Sequence, residues 1–135
     1  GALITGYTNT EVAARLLPLL GAEFDGVVYL DEGDHKVILL REGGTMGLER
    51  CGLPKERRFS FFDQVHTTGM DIPQAANARA VLTLSADLTF RDYAQAAYRM
   101  RGIGKGQTLL LFVTPEVDHP THHPTLLYLL TPTDT

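Results

Sequence analysis

Residues 58–115 read RFSFFDQVHTTGMDIPQAANARAVLTLSADLTFRDYAQAAYRMRGIGKGQTLLLFVTP, and the fold of the chain turns on this stretch. Its opening apolar run, Phe59–Phe62, has the length of a buried strand. Pro73–Ala78 reads as a helical turn or loop leading into Ala80–Leu84, a further strand. Thr89 with Asp92 three residues on resembles a capping box, Asp standing where Glu is usual. The helix it opens sets Phe90, Tyr93, Ala94 and Ala97 on one face, predicted to meet the core. Gln95 and Arg99, four apart, share another face. Gly102 is well placed to stop this helix. Thr108–Val113 is apolar throughout, which predicts a strand covered on both sides.

Upstream, Ala2–Thr5 reads as a short strand. Thr8, Asn9 and Thr10 are cap candidates, Glu11 is an acid in the first turn, and Val12, Ala13, Leu16, Leu17 and Leu20 make one helical face. Pro18 predicts a bend or stop near Leu17. VVYL and KVILLRE are strands separated by the turn DEGDH, and Gly43–Lys55 reads as loop with room for one helical turn. Downstream, DHPTHHPTLLYLLTPTDT reads as a tail in which LLYLL forms an edge strand or an interdomain contact. Strands alternating with helices predict a three-layer α/β domain with a mostly parallel sheet over residues 1–115, followed by a tail, 116–135.

The chain has 135 residues, 44% of them hydrophobic, the size of one domain around one core. No apolar run approaches the ~20 residues that cross a bilayer, so no membrane partner is expected. No basic-then-apolar leader opens the chain, and the first residue is not Met, which suggests an excised or processed piece. Cys51 is the sole cysteine, so no internal disulfide can form. A lone thiol fits a reducing, intracellular setting, cytoplasmic or nuclear. The net charge of −4 is unevenly spread. Residues 1–49 balance to −5, residues 50–105 to +4 and the rest to −3. The basic part coincides with the glycine- and arginine-rich motifs, so a local anion patch is expected there.

GMDIP, followed by QAAYRMRG, resembles motifs V and VI of the second RecA-like domain of superfamily 2 helicases and translocases. ALITGYTNTEVAARLL resembles the strand and helix that open such a domain, so the resemblance covers roughly residues 1–114. It implies a P-loop NTPase-type fold whose Gln and arginines reach an ATP cleft shared with an upstream RecA-like domain. On that basis Asp71 is the ribose or interdomain contact. Gly69 and Gln95 are nucleotide-site residues, Arg99 is the first motif VI arginine, and Arg101 is the second. Thr67 and Thr68 would lie at the cleft or near a nucleic-acid backbone. Positive charge of this kind is what phosphoryl transfer needs where charge develops on the γ-phosphate. In the family the second arginine follows Gly-Arg-x-Gly, whereas Tyr98-Arg99-Met100-Arg101-Gly102 displaces it by one position. FFDQVHTTGMDIP, TFRDYAQAAYRMRGIGKGQ and PEV are also similar to very large uncharacterised eukaryotic proteins sometimes labelled ubiquitin hydrolases.

Other readings compete at single motifs. Asp63-Gln64-Val65-His66 has the form of a DExH box, but no Gly-x-x-x-x-Gly-Lys-Ser/Thr precedes it. Read as lacking both a phosphate loop and the Mg²⁺ carboxylates, the chain is expected to hydrolyse no ATP alone, ATP and Mg²⁺ being bound only with the upstream domain. GIGKGQT could present N–H groups to a phosphate, yet it joins a helix to a strand, the reverse of a phosphate loop. Cys51 with His66 or His35 would make a thiol nucleophile and base, the basis of a cysteine hydrolase alternative. His119, His122 and His123 have loose metal-ligand spacing between prolines. A non-catalytic RecA-like scaffold is the remaining alternative.

Overall fold

Thr8, one of three cap candidates, opens the first helix through a pair of reciprocal bonds with Glu11. The Glu11 N–H donates to Thr8 Oγ1 at 3.2 Å, and the Thr8 N–H donates to Glu11 Oε2 at 2.8 Å. The computed structural model describes residues 6–63, 71–84, 90–113 and 127–130. The expected strand Ala2–Thr5 and the Thr89 cap therefore lie outside the described residues. Helix α1 spans Asn9–Leu16, and Pro18 ends it in a single 3₁₀ turn, Leu17–Leu19. Val12, Ala13 and Leu17 are buried, while Leu16 and Leu20 pack at the margin of the same cluster.

The strands are β1 (Gly26–Leu30), β2 (Lys36–Leu40), β3 (Thr45–Gly47), β4 (Arg58–Phe62), β5 (Arg79–Leu84), β6 (Thr108–Val113) and β7 (Leu127–Leu130), with helix α2 (Phe90–Ala97) between β5 and β6. They form one sheet in the order β3-β2-β1-β4-β7-β5-β6. β1 pairs parallel with β4, and β5 with β6; the other neighbours are antiparallel. The sheet is thus mixed, where a mostly parallel one was expected. β1, β4, β5 and β6 do run in one direction. The antiparallel pairs arise from β2 and from β7. β2 is reached through a turn too short for a parallel crossover. There Asp31 Oδ1 accepts from the Gly33 and His35 N–H groups, both at 2.9 Å.

Alternation along the strands divides the core into two faces. Val27 and Tyr29 of β1 and Phe59 and Phe61 of β4 pack under α1 with Phe24. Val28, Ile38, Phe62, Ala80 and Leu82 face the other way, with Ile72, Ala75, Ala78 and Met100, and Tyr93 of α2 packs against them. Among the described residues one helix therefore lies on each face. No helix among the described residues is long and apolar enough to cross a membrane.

Four local expectations are corrected. β3 lies in what read as loop. β7, expected as an edge strand or interdomain contact in a tail, pairs with β4 on one side and β5 on the other. β6, expected to be covered on both faces, is itself the edge, and Leu110 is 61% exposed. Phe90, assigned to the core, is 83% exposed and leans on Tyr93 with ring centroids 6.2 Å apart. It is the first residue of α2, where helical periodicity sets a direction but not whether the sheet extends beneath it.

Candidate functional site

The segment after β4 is pinned back onto that strand. Gln74 Nε2 donates to the Ile72 carbonyl at 3.0 Å, and Ser60 Oγ donates to Gln74 Oε1 at 3.3 Å. Ile72, Ala75 and Ala78 are buried, which leaves Asp71 directed to the surface. From the other direction α2 unwinds through bonds of Tyr98 N–H to Ala94 O and Met100 N–H to Ala97 O. Met100 is buried in the same cluster as Ile72. Two segments about 30 residues apart in sequence thus share one apolar anchor, and their charged neighbours meet outside it.

Arg101 Nη2 lies 3.7 Å from Asp71 Oδ2, and the guanidinium carbon sits 4.8 Å from the centre of the Tyr98 ring. Both charged side chains are about half exposed, so water screens the pair strongly. Its significance is positional rather than energetic. Arg99 and Gln95 are partly buried on the neighbouring turns. Gly69, Thr67 and Thr68 lie outside the described residues, as do Gln64, Val65 and His66 of the DExH-like string.

The glycine-rich turn that follows is closed on itself. The N–H groups of Lys105 and Gln107 both donate to the Gly102 carbonyl, at 2.9 and 3.1 Å. The Gly102 N–H donates to Gln107 Oε1 at 2.7 Å, while Gln107 Nε2 donates to the Ala75 carbonyl at 2.8 Å. These N–H groups are committed within the turn, which argues against a phosphate cradle. Gly106 has φ +115°, and a Cβ there would come within 2.8 Å of the Ala76 carbonyl oxygen. Gln107 was not anticipated as a structural residue. Its only sequence signal is a polar residue placed directly before an apolar strand.

A second polar cluster, also unanticipated, ties the chain between α1 and β1 to β2 and β4. Arg57 grips Asp25 with two bonds of 2.8 Å and reaches the Ala22 carbonyl. Arg41 donates to the carbonyls of Phe24, Leu20 and Gly21. The hydrogen bonds from Arg57 hold the Asp25 carboxyl below its ordinary pKa of 3.8. Beside this clamp is an open cavity of about 590 Å³, lined by Leu40, Met46, Cys51 and Leu53 together with Asp25, Arg41 and Glu42.

Cys51 is half-buried against the core, and Arg58 donates to its carbonyl and to that of Leu53. His35 is held by Asp31 at the far end of β2, about 13 Å of strand away. A Cys51–His35 dyad is therefore not formed. His119, His122 and His123 lie outside the described residues.

Asp71 can accept from a sugar hydroxyl, and Arg99 and Arg101 carry positive charge that a phosphate could engage. Among the described residues no group of three or more His, Cys, Asp or Glu side chains is placed to hold a metal ion. Compared with known protein families, with curated proteins and with solved structures, the chain shows no match.

Proposed function

We propose that this chain is the second RecA-like half of a helicase- or translocase-type ATPase, working against an upstream RecA-like domain in an intracellular setting. What supports the reading is the shared anchor of Ile72 and Met100, which brings Asp71 and Arg101 to one surface. In the complete enzyme Asp71 would hold the ribose and Gln95 and Gly69 would contact the nucleotide. Arg99, with Arg101, would stabilise charge developing on the transferred phosphate. The upstream domain would supply the phosphate loop and the Mg²⁺ carboxylates. Thr67 and Thr68 would line the cleft or meet a nucleic-acid strand.

The test is ATP turnover by a protein carrying both domains. Arg99→Ala is expected to lower kcat by about 10³-fold, the lower end of arginine-finger losses. An unaltered kcat removes the assigned role. The 135-residue chain alone is expected to turn over no ATP.

A non-catalytic scaffold is the second reading, favoured by one observation: Arg101 is already engaged by Asp71 and Tyr98. On that reading the two-domain protein binds no nucleotide, and Arg101→Ala changes stability alone. A nucleotide-binding titration of that protein separates the two.

A further inference from the structure

The face of the sheet that carries α2 is covered unevenly. α2 packs on β5, whereas the β2 end of that face is left to the turn Leu48–Arg50 and the chain that follows it. Leu40, Met46, Cys51 and Leu53 pack against the core there, yet each is only partly buried. All four line the cavity of about 590 Å³. That size suits a small organic ligand, and an apolar lining with a few polar groups is the ordinary form of such a site. Its walls are also held in place. Arg58 donates to the Cys51 carbonyl at 3.3 Å and to that of Leu53. Arg41 donates from Nε to the Phe24 carbonyl at 2.9 Å, and from Nη2 to those of Leu20 and Gly21. A site held this way has less freedom to lose when it is filled.

The charged part of the lining selects the ligand. It consists of Asp25, Glu42, Arg41 and Arg50. Asp25 is already matched by Arg57 through two bonds of 2.8 Å. The partners of Arg41 are neutral carbonyls, which leave its charge uncancelled, and its Nη1 has no hydrogen-bond partner among the described residues. Arg50 has Glu49 at 3.8 Å, but both are about three-quarters exposed and water screens the pair. With Asp25 matched, the two arginines outweigh Glu42 by a single positive charge. We propose that this cavity binds a small aliphatic monocarboxylate, its carboxylate at Arg41 and its chain against Leu40, Met46 and Leu53. The planar guanidinium matches a carboxylate in shape as well as charge, and the unbranched thioether of Met46 adapts to an apolar chain. Glu42 and the apolar lining oppose a polyphosphate. None of the lining comes from the segments that carry Asp71 and Arg101, so this inference is independent of the ATPase reading.

The test is an NMR titration of the 135-residue chain carrying methyl-labelled methionine, with octanoate as the probe. Octanoate is expected to shift the Met46 methyl signal, identified by its loss in Met46→Leu, and to saturate it at millimolar concentration. The signal of Met100, buried elsewhere in the core, is expected to stay in place. Octylamine, of the same length and opposite charge, is expected to shift neither. Arg41→Gln is expected to weaken octanoate binding by about tenfold, the loss of a hydrogen-bonded charge. Arg50→Glu reverses one charge of the lining and is expected to weaken it by about fivefold, since exposed charges interact modestly. The Arg50 side chain is 78% exposed, so that variant decides should Arg41→Gln fail to fold. The absence of a saturable Met46 shift overturns the proposal, as does octylamine binding as well as octanoate. Binding indifferent to Arg50→Glu, or a Met100 signal that moves together with Met46, overturns it equally.

Discussion

Removing the amide of Gln107 would leave the Gly102 N–H and the Ala75 carbonyl without their partners in a site nearly closed to water. Gln107→Ala is therefore expected to cost about 1–3 kcal/mol, read as a lower urea midpoint at constant m. Asp25 works at the same scale through charge. Arg57 depresses its folded pKa, so its contribution is complete above the ordinary value of 3.8 and is lost as pH falls through the lower folded value. Asp25→Asn should lower Tm near neutral pH, and the gap from the wild type should close in acid. A gap that stays constant down the acid limb would separate Asp25 from this effect. Neither residue was legible in the sequence. Ala75, which Gln107 reaches, and Arg57, which holds Asp25, each lie 32 residues away, and a local pattern carries no information about such distances. Thr8, as one of three cap candidates, and Glu11, as a first-turn acid, were legible within one turn, though their pairing was not.

At the scale of elements, the capping box of α1 makes a separable contribution. Thr8→Ala is expected to destabilise the protein by about 1 kcal/mol, with the hydrogen exchange of the first α1 amides accelerating most. Unchanged exchange at Glu11 would show that the box does not hold the helix end. Apolar runs also located β1, β2, β4, β5 and β6, because strands buried on one or both faces must be apolar somewhere. They said nothing about neighbours. β6 reads as a central strand by composition, yet it stands at the end of the described sheet. Met100 shows the converse: it lay in a motif read for its arginines, yet it is buried and joins that motif to Ile72.

For the whole molecule, β7 is the piece on which continuity depends. Among the described strands, β4 and β5 share no ladder, and β7 bridges them with pairings such as Phe62 to Leu127 and Leu82 to Leu127. Removing residues 127–135 is expected to divide the sheet, with β5 and β6 amides losing exchange protection well before those of β1 and β2. Uniform protection in the shortened chain would contradict this. The α/β layering was legible because periodicity alone assigns helix and strand. The convergence of Asp71 with Arg101 was foreseeable only through the resemblance at those motifs, since an ion pair between half-exposed groups leaves no imprint on hydrophobic pattern. Gly69, Thr67 and Thr68 add nothing to that site here, lying outside the described residues.

The position of β7 has a temporal corollary for a chain made from its amino end. When β6 leaves the ribosome, the edges of β4 and β5 that face each other still await the strand between them. Phe62 and Leu82 must stay available, and unmated with a wrong partner, until Leu127 arrives. Late arrival of an interior strand favours slow, post-translational closure, and it leaves a nascent chain paused before residue 127 exposed to chaperones and to its own copies.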